Sequence, residues 1–372
     1  MTLRLKKFTD IVQDKSGGNK KLPQELFLLD GQYPVVDQGK KFIAGYINDQ
    51  EYLVKSTDLP VVIFGDHTKA IKFVDFPFAM GADGVKVLKP KDDCDPKYLY
   101  HYLRYAKIPD AGYSRHFKFL KELEIPLPPL EEQRRITSIL DQADELRQKR
   151  QQAIEKLDQL LQATFIDMFG DPNTYQNRFP IKSLKQVCTK ITDGEHGTVE
   201  RLESGKLYLM ARNITKNMTL DITEVSYISE EDHQRIYKRC SPEFGDLMIV
   251  CVGATIGKLC LVPDMEEFSL ARSVALLKPD NNSVISQYLL HLLASDYMQQ
   301  KILNSRNTAA QAGLYLGKLS IIEVPVPPKE LQEKWSKIAL SIEDQKQKLY
   351  KQLDVQNQLF ISLQNQAFSG NL

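Results

Sequence analysis

The sequence predicts an α+β protein with two similar globular domains, each leading into a long helix, the two helices forming an antiparallel coiled coil. Three observations predict it. First, residues 123–171 and 322–372 align at a single offset of 199. That offset superposes Pro126 on Pro325, Pro128 on Pro327, Pro129 on Pro328, Glu131 on Glu330, Gln133 on Gln332, Leu160 on Leu359 and Phe169 on Phe368. Second, each copy carries apolar residues at three- and four-residue steps over several turns, the mark of an amphipathic helix. Third, the segments between the copies hold short β-branched runs set off by Gly, Asp and Asn, the pattern of strands and turns. The expected domains are therefore 1–122, a first repeat at 123–171, 172–321, and a second repeat at 322–372.

In the first domain, Tyr33 to Val36, Lys41 to Ala44, Val61 to Phe64 and Val85 to Leu88 read as strands. Asp95-Pro96 is a helix start for a segment through Tyr105, because proline costs nothing at the first helical position. The second domain repeats this plan loosely. Val85 to Pro90 corresponds to Val274 to Pro279 at an offset of 189, and Tyr98 to Leu103 to Tyr288 to Leu293 at an offset of 190. Such duplication commonly signals two-fold pseudo-symmetry and two similar sites.

Each repeat opens on a short apolar strand and a proline pair, which withholds ladder donors and holds the preceding residue extended. Carboxylates at Glu131, Glu132 and Glu330 then occupy the helix start, where the dipole favours negative charge. In the first helix Ile136, Ile139, Leu140, Leu146, Ile154, Leu160, Leu161, Phe165 and Met168 form the stripe. In the second, Trp335, Ile338, Ile342, Leu353, Leu359 and Phe360 form it, with Gln345, Gln352 and Gln356 diluting the seam. A helix over about 131–168 is roughly 55 Å long at 1.5 Å per residue. An intramolecular antiparallel pair hides both stripes; two separate helices or a homodimeric coiled coil are the alternatives.

Charge is balanced, with 49 Lys/Arg against 48 Asp/Glu in 372 residues. A protein binding nucleic acid by bulk charge is far more basic, so such a role must rest on local patches or on a partner. Five cysteines without a C-x-x-C pair point to reduced, buried thiols. The first residues carry scattered charge and no apolar core of a secretory signal. The most apolar run, Leu247 to Ile256, is far shorter than the roughly 18 residues of a membrane span. These features together lead us to expect a cytoplasmic protein.

Catalytic motifs are hard to find. Gly253-Ala254-Thr255-Ile256-Gly257-Lys258 resembles a phosphate loop but is one residue short and lacks the Ser/Thr that holds magnesium. Zinc spacings, G-x-S-x-G and a dinucleotide fingerprint are absent. No metal site or catalytic residue is expected. His67 stands beside Asp66 in a turn, His101 and His291 occupy equivalent helix positions that favour packing, and His116 joins Arg115 and Lys118 in a small cationic group.

With its tandem plan and proline corners, the sequence resembles the specificity subunit of type I restriction-modification systems. The residues that carry the resemblance are I-P-L-P-P-L-E-E-Q-R-R-I at 125–136, V-P-V-P-P-K-E-L-Q at 324–332 and Q-A-F-S-G-N-L at 366–372. Within the domains, Y-P-V-V-D-Q-G-K-K-F-I-A-G-Y at 33–46, G-D-L-M-I-V-C-V-G-A-T-I-G-K at 245–258 and L-A-R-S-V-A-L-L-K-P at 270–279 look like the same family. The second corner matches more loosely, with Lys329 and Trp335 where the first has Leu130 and Ile136.

The resemblance implies two target-recognition domains, each reading one half of a split double-stranded DNA target. It implies a chain that is not itself an enzyme and binds no cofactor. Two modification subunits would bring S-adenosylmethionine, and restriction subunits would bring ATP and magnesium. Base edges are read by polar and cationic side chains. In the first domain we expect Lys40, Lys41, His67, Thr68, Lys69, Tyr113, Ser114, Arg115 and His116 to contact DNA. In the second we expect Arg212, Asn213, Lys258, Arg272, Arg306, Asn307 and Gln311. The corners offer a symmetric partner surface at Pro128, Pro129, Glu131, Gln133, Arg134, Pro327, Pro328, Glu330 and Gln332, unless these are helix caps. The competing expectations are a self-contained DNA methyltransferase or nuclease with diverged motifs, and a coiled-coil scaffold that binds no DNA.

Overall fold

The computed structural model describes residues 4–81, 83–112, 114–171, 178–306 and 313–372. The chain forms two compact units, residues 1–153 with 349–372, and residues 154–348. Each unit thus contains one domain together with part of both long helices.

In the first unit the elements run β1 (Leu5–Lys7), α1 (Phe8–Ile11), β2 (Val12–Asp14), β3 (Tyr33–Val36), β4 (Gly45–Ile47), β5 (Val61–Gly65), β6 (Ile71–Val74), β7 (Ala79–Met80), β8 (Val85–Pro90), α2 (Pro96–Tyr105), α3 (Phe117–Leu120), β9 (Glu124–Pro126) and the long α4 (Leu130–Phe169). They build a four-stranded sheet in the order β2-β8-β5-β6, a three-stranded sheet β4-β3-β7, and a small ladder β1-β9. Strand β5 is apolar at every position because both its faces are covered. Val62 and Phe64 join the core that contains Tyr98, Leu99, Ile136, Leu140 and Phe360. Val61 and Ile63 face the other way, into a core with Val36, Phe78 and Met80. A strand buried on both faces reads as a continuous run instead of an alternation. The expected strand at Lys41 to Ala44 falls one step late, at Gly45–Ile47. The buried Lys72 ammonium holds the Lys41 carbonyl at 2.6 Å and the Asp37 carbonyl at 2.8 Å, fixing that stretch as a loop.

The second unit continues with β10 (Ile181–Ser183), α5 (Leu184–Val187), β11 (Cys188–Asp193), β12 (Lys206–Leu209), β13 (Ser226–Ile228), α6 (Glu230–Tyr237), β14 (Leu247–Val250), β15 (Leu259–Leu261), β16 (Ser269–Leu270), β17 (Val274–Pro279), α7 (Ser286–Ala294), α8 (Asp296–Asn304), α9 (Leu316–Ser320), β18 (Glu323–Pro325) and the long α10 (Lys329–Ser369). Its sheets repeat the first unit's plan, with orders β11-β17-β14-β15, β13-β12-β16 and β10-β18. Even the parallel pairs correspond, Val35 with Ala79 and Val36 with Met80 in one, Tyr208 with Ser269 and Leu209 with Leu270 in the other. The phosphate-loop look-alike is the β14–β15 turn, where the Val250 amide donates to the Lys258 carbonyl at 2.8 Å. It leads into the strand β15, not into a helix.

The two long helices run antiparallel within each unit. In the first, Arg147 Nε donates to Asn357 Oδ1 at 2.7 Å and Arg150 Nε to Gln356 Oε1 at 3.1 Å. In the second, Lys346 pairs with Asp158. The offset of 199 carries Arg147 to Lys346 and Asp158 to Asn357, so the two contacts are the same contact with the helices exchanging roles. The seam is less apolar than its sequence implies. Leu146, Leu160 and Leu359 are about half exposed, and of the three glutamines only Gln356 makes a contact across the pair. The helices gain their burial mainly from the domains, through Ile136, Leu140, Phe360 and Phe368 in one core and Phe165, Phe169, Trp335 and Ala339 in the other.

All five cysteines are buried free thiols. Burial pushes Cys94, Cys188, Cys251 and Cys260 up to about 12 and Cys240 to about 11, which keeps them protonated and unreactive. No helix among the described residues is long and apolar enough to cross a membrane.

Candidate nucleic-acid interface

In the first unit, three loops far apart in sequence meet around the β5–β6 turn. The Asp66 amide donates to the Gly84 carbonyl at 2.7 Å, and the Asp66 carbonyl accepts from the His116 amide at 2.8 Å. The Asp66 carboxylate caps the next amide, Phe117, at 2.7 Å. Gln38 closes the cluster from a third side, accepting from the His67 amide at 3.2 Å and donating to the Asp83 carbonyl at 3.1 Å. Thr68 Oγ1 donates to the Gln38 carbonyl. Gly65 is required here, since a side chain would run into Thr68 and the Gln38 backbone.

This framework presents Lys40, Lys41, Thr68 and Arg115 as exposed side chains on one loop cluster, with His67, Lys69 and Ser114 half-buried among them. Lys69 adopts a left-handed φ of 59° and pairs with Asp110 at 3.4 Å. The Asp83 carboxyl is held below its ordinary value, first by its hydrogen bond from Lys21 and also by the charge of Arg115 nearby. His116 is a correction. Its ring is buried, with Nδ1 on the Asp66 carbonyl at 3.0 Å, so it latches the turn to the loop and is closed to a duplex. Tyr113 lies outside the described residues.

Lys72 and Gln38 are the residues that sequence reasoning missed. Burial lowers the Lys72 pKa, and the Asp37 charge opposes that shift. Its ammonium organises the loop that carries Lys40 and Lys41. A lysine flanked by apolar residues in a four-residue strand was the available signal, because an inward-facing cation must find acceptors.

The second unit assembles a comparable cluster from the turn after β11, the loop after β12 and the turn after β16. The Glu195 amide donates to the Leu270 carbonyl at 2.7 Å, the Arg272 amide to the Glu195 carbonyl at 3.0 Å, and the Ala211 amide to Ser273 Oγ at 3.2 Å. Gly194 allows this approach, since a Cβ there would occupy the space of the Leu270 carbonyl. Arg212 and Arg272 are exposed on it, Arg212 also donating to Ser226 Oγ at 3.0 Å. Asn213 is the second correction. It is buried, its Oδ1 accepting from the Met210 amide at 3.0 Å and its Nδ2 donating to the Asp221 and Glu224 carbonyls, and so it shapes the loop without reaching solvent. Lys258 is half-buried in the β14–β15 turn, and Arg306 is exposed at the end of α8 with Nε on the Leu303 carbonyl at 2.8 Å. Asn307 and Gln311 lie outside the described residues. Arg235 and Arg239, not singled out in the sequence, border the cluster through ion pairs to Glu195 and Asp193 at 2.8 and 3.1 Å.

The proline corners divide into buried and exposed residues. Pro129, Glu131, Arg134, Pro328 and Glu330 are exposed. Pro128, Pro327, Gln133 and Gln332 are buried, which corrects their assignment to a partner surface. Gln133 Oε1 accepts from the Asp95 amide at 2.8 Å, while its Nε2 donates to the carbonyls of Asp93 at 2.9 Å and Pro128 at 2.8 Å. Gln332 repeats all three bonds, from the Ile285 amide at 2.8 Å and to Ser283 at 3.3 Å and Pro327 at 2.8 Å. Each glutamine therefore joins a long helix to its corner and to the start of the domain helix. A tyrosine adds a second tie, Tyr98 to the Pro126 carbonyl at 2.6 Å and Tyr288 to the Pro325 carbonyl at 3.1 Å.

Among the described residues no group of His, Cys, Asp or Glu is arranged to hold a metal ion. Each unit thus carries a loop cluster with exposed cations, built on the same paired sheets. The chain belongs to the type I restriction modification DNA specificity domain family, whose model matches residues 3–156 and 179–356. It is similar to the type I restriction enzyme EcoBI specificity subunit of Escherichia coli, 25% identical over 314 residues covering 76% of this chain and 65% of that one. It is also similar to the MjaVIII specificity subunit of Methanocaldococcus jannaschii, 22% identical over 85% of this chain and 80% of the relative. The match to the first of these relatives thus spans just under two thirds of that protein's length. In fold it is similar to the S subunit of a type I system from M. genitalium, with a TM-score of 0.64 at 19% identity over 99% of this chain and 96% of that one. A chain from a study of complex assembly and conformational transition of the type I R-M system matches with a TM-score of 0.52 at 17% identity, both chains covered fully.

Proposed function

We propose that this chain is the specificity subunit of a type I restriction-modification complex. One loop cluster reads each half of a split DNA target, and the paired helices set the gap between the halves. The observation that supports this most directly is that each unit carries exposed cations on a cluster of loops at the same paired sheets. Lys40, Lys41, Thr68 and Arg115 on one copy, and Arg212 and Arg272 on the other, stand exposed on loops whose backbones are fixed by buried polar residues. Exposed side chains on a rigid frame are what reading base edges requires. In this reading the chain performs no chemistry. Two modification subunits supply S-adenosylmethionine and methylate the target, and restriction subunits supply ATP- and magnesium-dependent cleavage in the cytoplasm. The exposed corner residues Pro129, Glu131, Arg134, Pro328 and Glu330 serve as the docking surface for the modification subunits.

The test is methylation-sensitive sequencing of DNA from cells that express this chain with its modification partner. A single two-part motif is expected. Unmethylated DNA, together with S-adenosylmethionine binding by the purified chain alone, would replace this reading with a self-contained methyltransferase.

A further inference from the structure

The duplication exposes a difference between the units. In the first, Arg104 at the end of α2 lies against the long helices. Its Nη1 donates to Asp144 at 2.7 Å and to Tyr100 Oη at 3.0 Å, and its guanidinium sits 5.7 Å from the Phe360 ring centre. In the second unit the offset of 190 places Ala294 where Arg104 stands. The offset of 199 places Glu343 at Asp144 and Leu161 at Phe360. The carboxylate and the apolar wall are kept, and the arginine between them is gone.

A pocket of about 430 Å³ lies at this place, with Ala294, Leu161 and His291 among its lining. Phe165, Ile166 and Met218 complete an apolar wall. Three carboxylates also line it, Asp158, Asp171 and Asp296, with no lysine or arginine among the described lining residues. Asp158 is paired with Lys346 from outside that lining. His291, more than nine-tenths buried, has Nδ1 on the Gln287 carbonyl at 2.8 Å, so that nitrogen donates. Its Nε2 has no hydrogen bond, and the Glu343 carboxylate stands 3.4 Å away. The ring nitrogen and the carboxylate thus face one another with no hydrogen bond between them, and a planar donor placed there would bond to the carboxylate.

We propose that this pocket binds a guanidinium group on a short apolar stem, in the space that Arg104 fills in the first unit. The planar head donates to carboxylates in the manner of Arg104 on Asp144, and the stem lies on Leu161 and Phe165. The same head could arrive as an arginine side chain or as a small guanidino compound.

Calorimetric titration of the full chain separates these sources and requires neither DNA nor partner subunits, so its outcome is independent of the specificity-subunit reading. Ethylguanidinium carries head and stem alone, a blocked Ala-Arg-Ala tripeptide presents them from a chain, and ethylurea keeps the shape without the charge. Both guanidinium probes are expected to bind saturably, and ethylurea at least roughly tenfold more weakly, the size of one charge-assisted hydrogen bond. Tighter binding of the tripeptide assigns the occupant to a protein side chain; equal or weaker binding assigns it to a free compound. Glu343→Gln should weaken both by roughly tenfold, and Ala294→Arg should abolish both by refilling the space. Ala294→Met, which fills it without charge, carries the same test should the arginine variant fail to fold. No saturable binding to the folded chain, or binding that both Ala294 variants leave unchanged, would overturn the proposal.

Discussion

Replacing Gln133 by alanine tests whether the proline corner is a structural joint. The side chain is fully buried and makes three hydrogen bonds, all to backbone groups. Truncation leaves the Asp95 amide and the Asp93 and Pro128 carbonyls short of a partner where water enters poorly. At about 1–3 kcal/mol for each orphaned buried group, with some relief from solvent at the Asp93 side, the loss is about 4 kcal/mol. For a unit of this size that lowers the melting midpoint by roughly 8–16 °C. Gln133→Glu keeps the acceptor for Asp95 and sets a carboxyl against two carbonyls, so it should cost nearly as much at neutral pH. Glu131→Ala, on the exposed side of the same turn, should change stability by less than about 0.5 kcal/mol. The assay is thermal and urea unfolding followed by circular dichroism and by tryptophan fluorescence. The single Trp335 is buried in the second unit's core and reports on that core. Gln133→Ala should therefore lower the first transition by circular dichroism and move the tryptophan signal little, and Gln332→Ala should do the reverse. A loss below about 1 kcal/mol in Gln133→Ala would refute the joint.

Four further outcomes follow from the same geometry. Burial lowers the His101 pKa below 6.5 despite its hydrogen bond to Asp141, so the folded ring resists protonation; stability of the first unit should fall as pH drops below about 6.5 and through the folded value, and His101→Phe should flatten that slope in pH-dependent urea titrations. Burial works to raise the Asp144 carboxyl, but Arg104 and Arg147 hold it below 3.8, so its contribution is present above that value and is lost on further acidification, a step that Asp144→Asn should remove. Arg115→Ala should cost about 1–3 kcal/mol of discrimination at one half of the target and leave the other half untouched, as read by methylation of half-site variants; unchanged methylation of every variant would count against a reading role. Four residues inserted after Gln151, with four after Asp354 to keep the helix seam in step, should lengthen the preferred gap by about 6 Å or two base pairs, and an unchanged gap would remove the helices as its determinant.

The fold was legible wherever the sequence repeats or keeps one period. The long helices, the proline corners and strands β5 and β8 stand within a residue or two of their expected places because propensity, pattern and capping agree there. What was hidden is what depends on long-range polar contacts. Gln133 and Gln332 look like surface residues in a charged helix start, and only the arrival of residues 93–95 and 283–285 makes them interior. His116 and Asn213 look like readers for the same reason: a polar side chain in a turn has the same sequence signature whether it faces solvent or ties two loops together. Lys40, Lys41, Arg115, Arg212 and Arg272 stand exposed on loops, as their sequence surroundings suggest, because an exposed cation on a turn needs no distant partner.

The last turns of α10 pack against the first unit, where Phe368 meets the rings of Tyr98, Tyr102 and Tyr105 at 5.0–5.6 Å. During synthesis the ribosome emits those tyrosines some 260 residues before their lid, and the entire second unit is made in between. The amino-terminal domain must therefore wait, half-closed, for the carboxyl-terminal helix, reversing the usual order in which nascent domains are sealed. Premature termination anywhere after the second unit should yield a chain whose later-made half is the sound one.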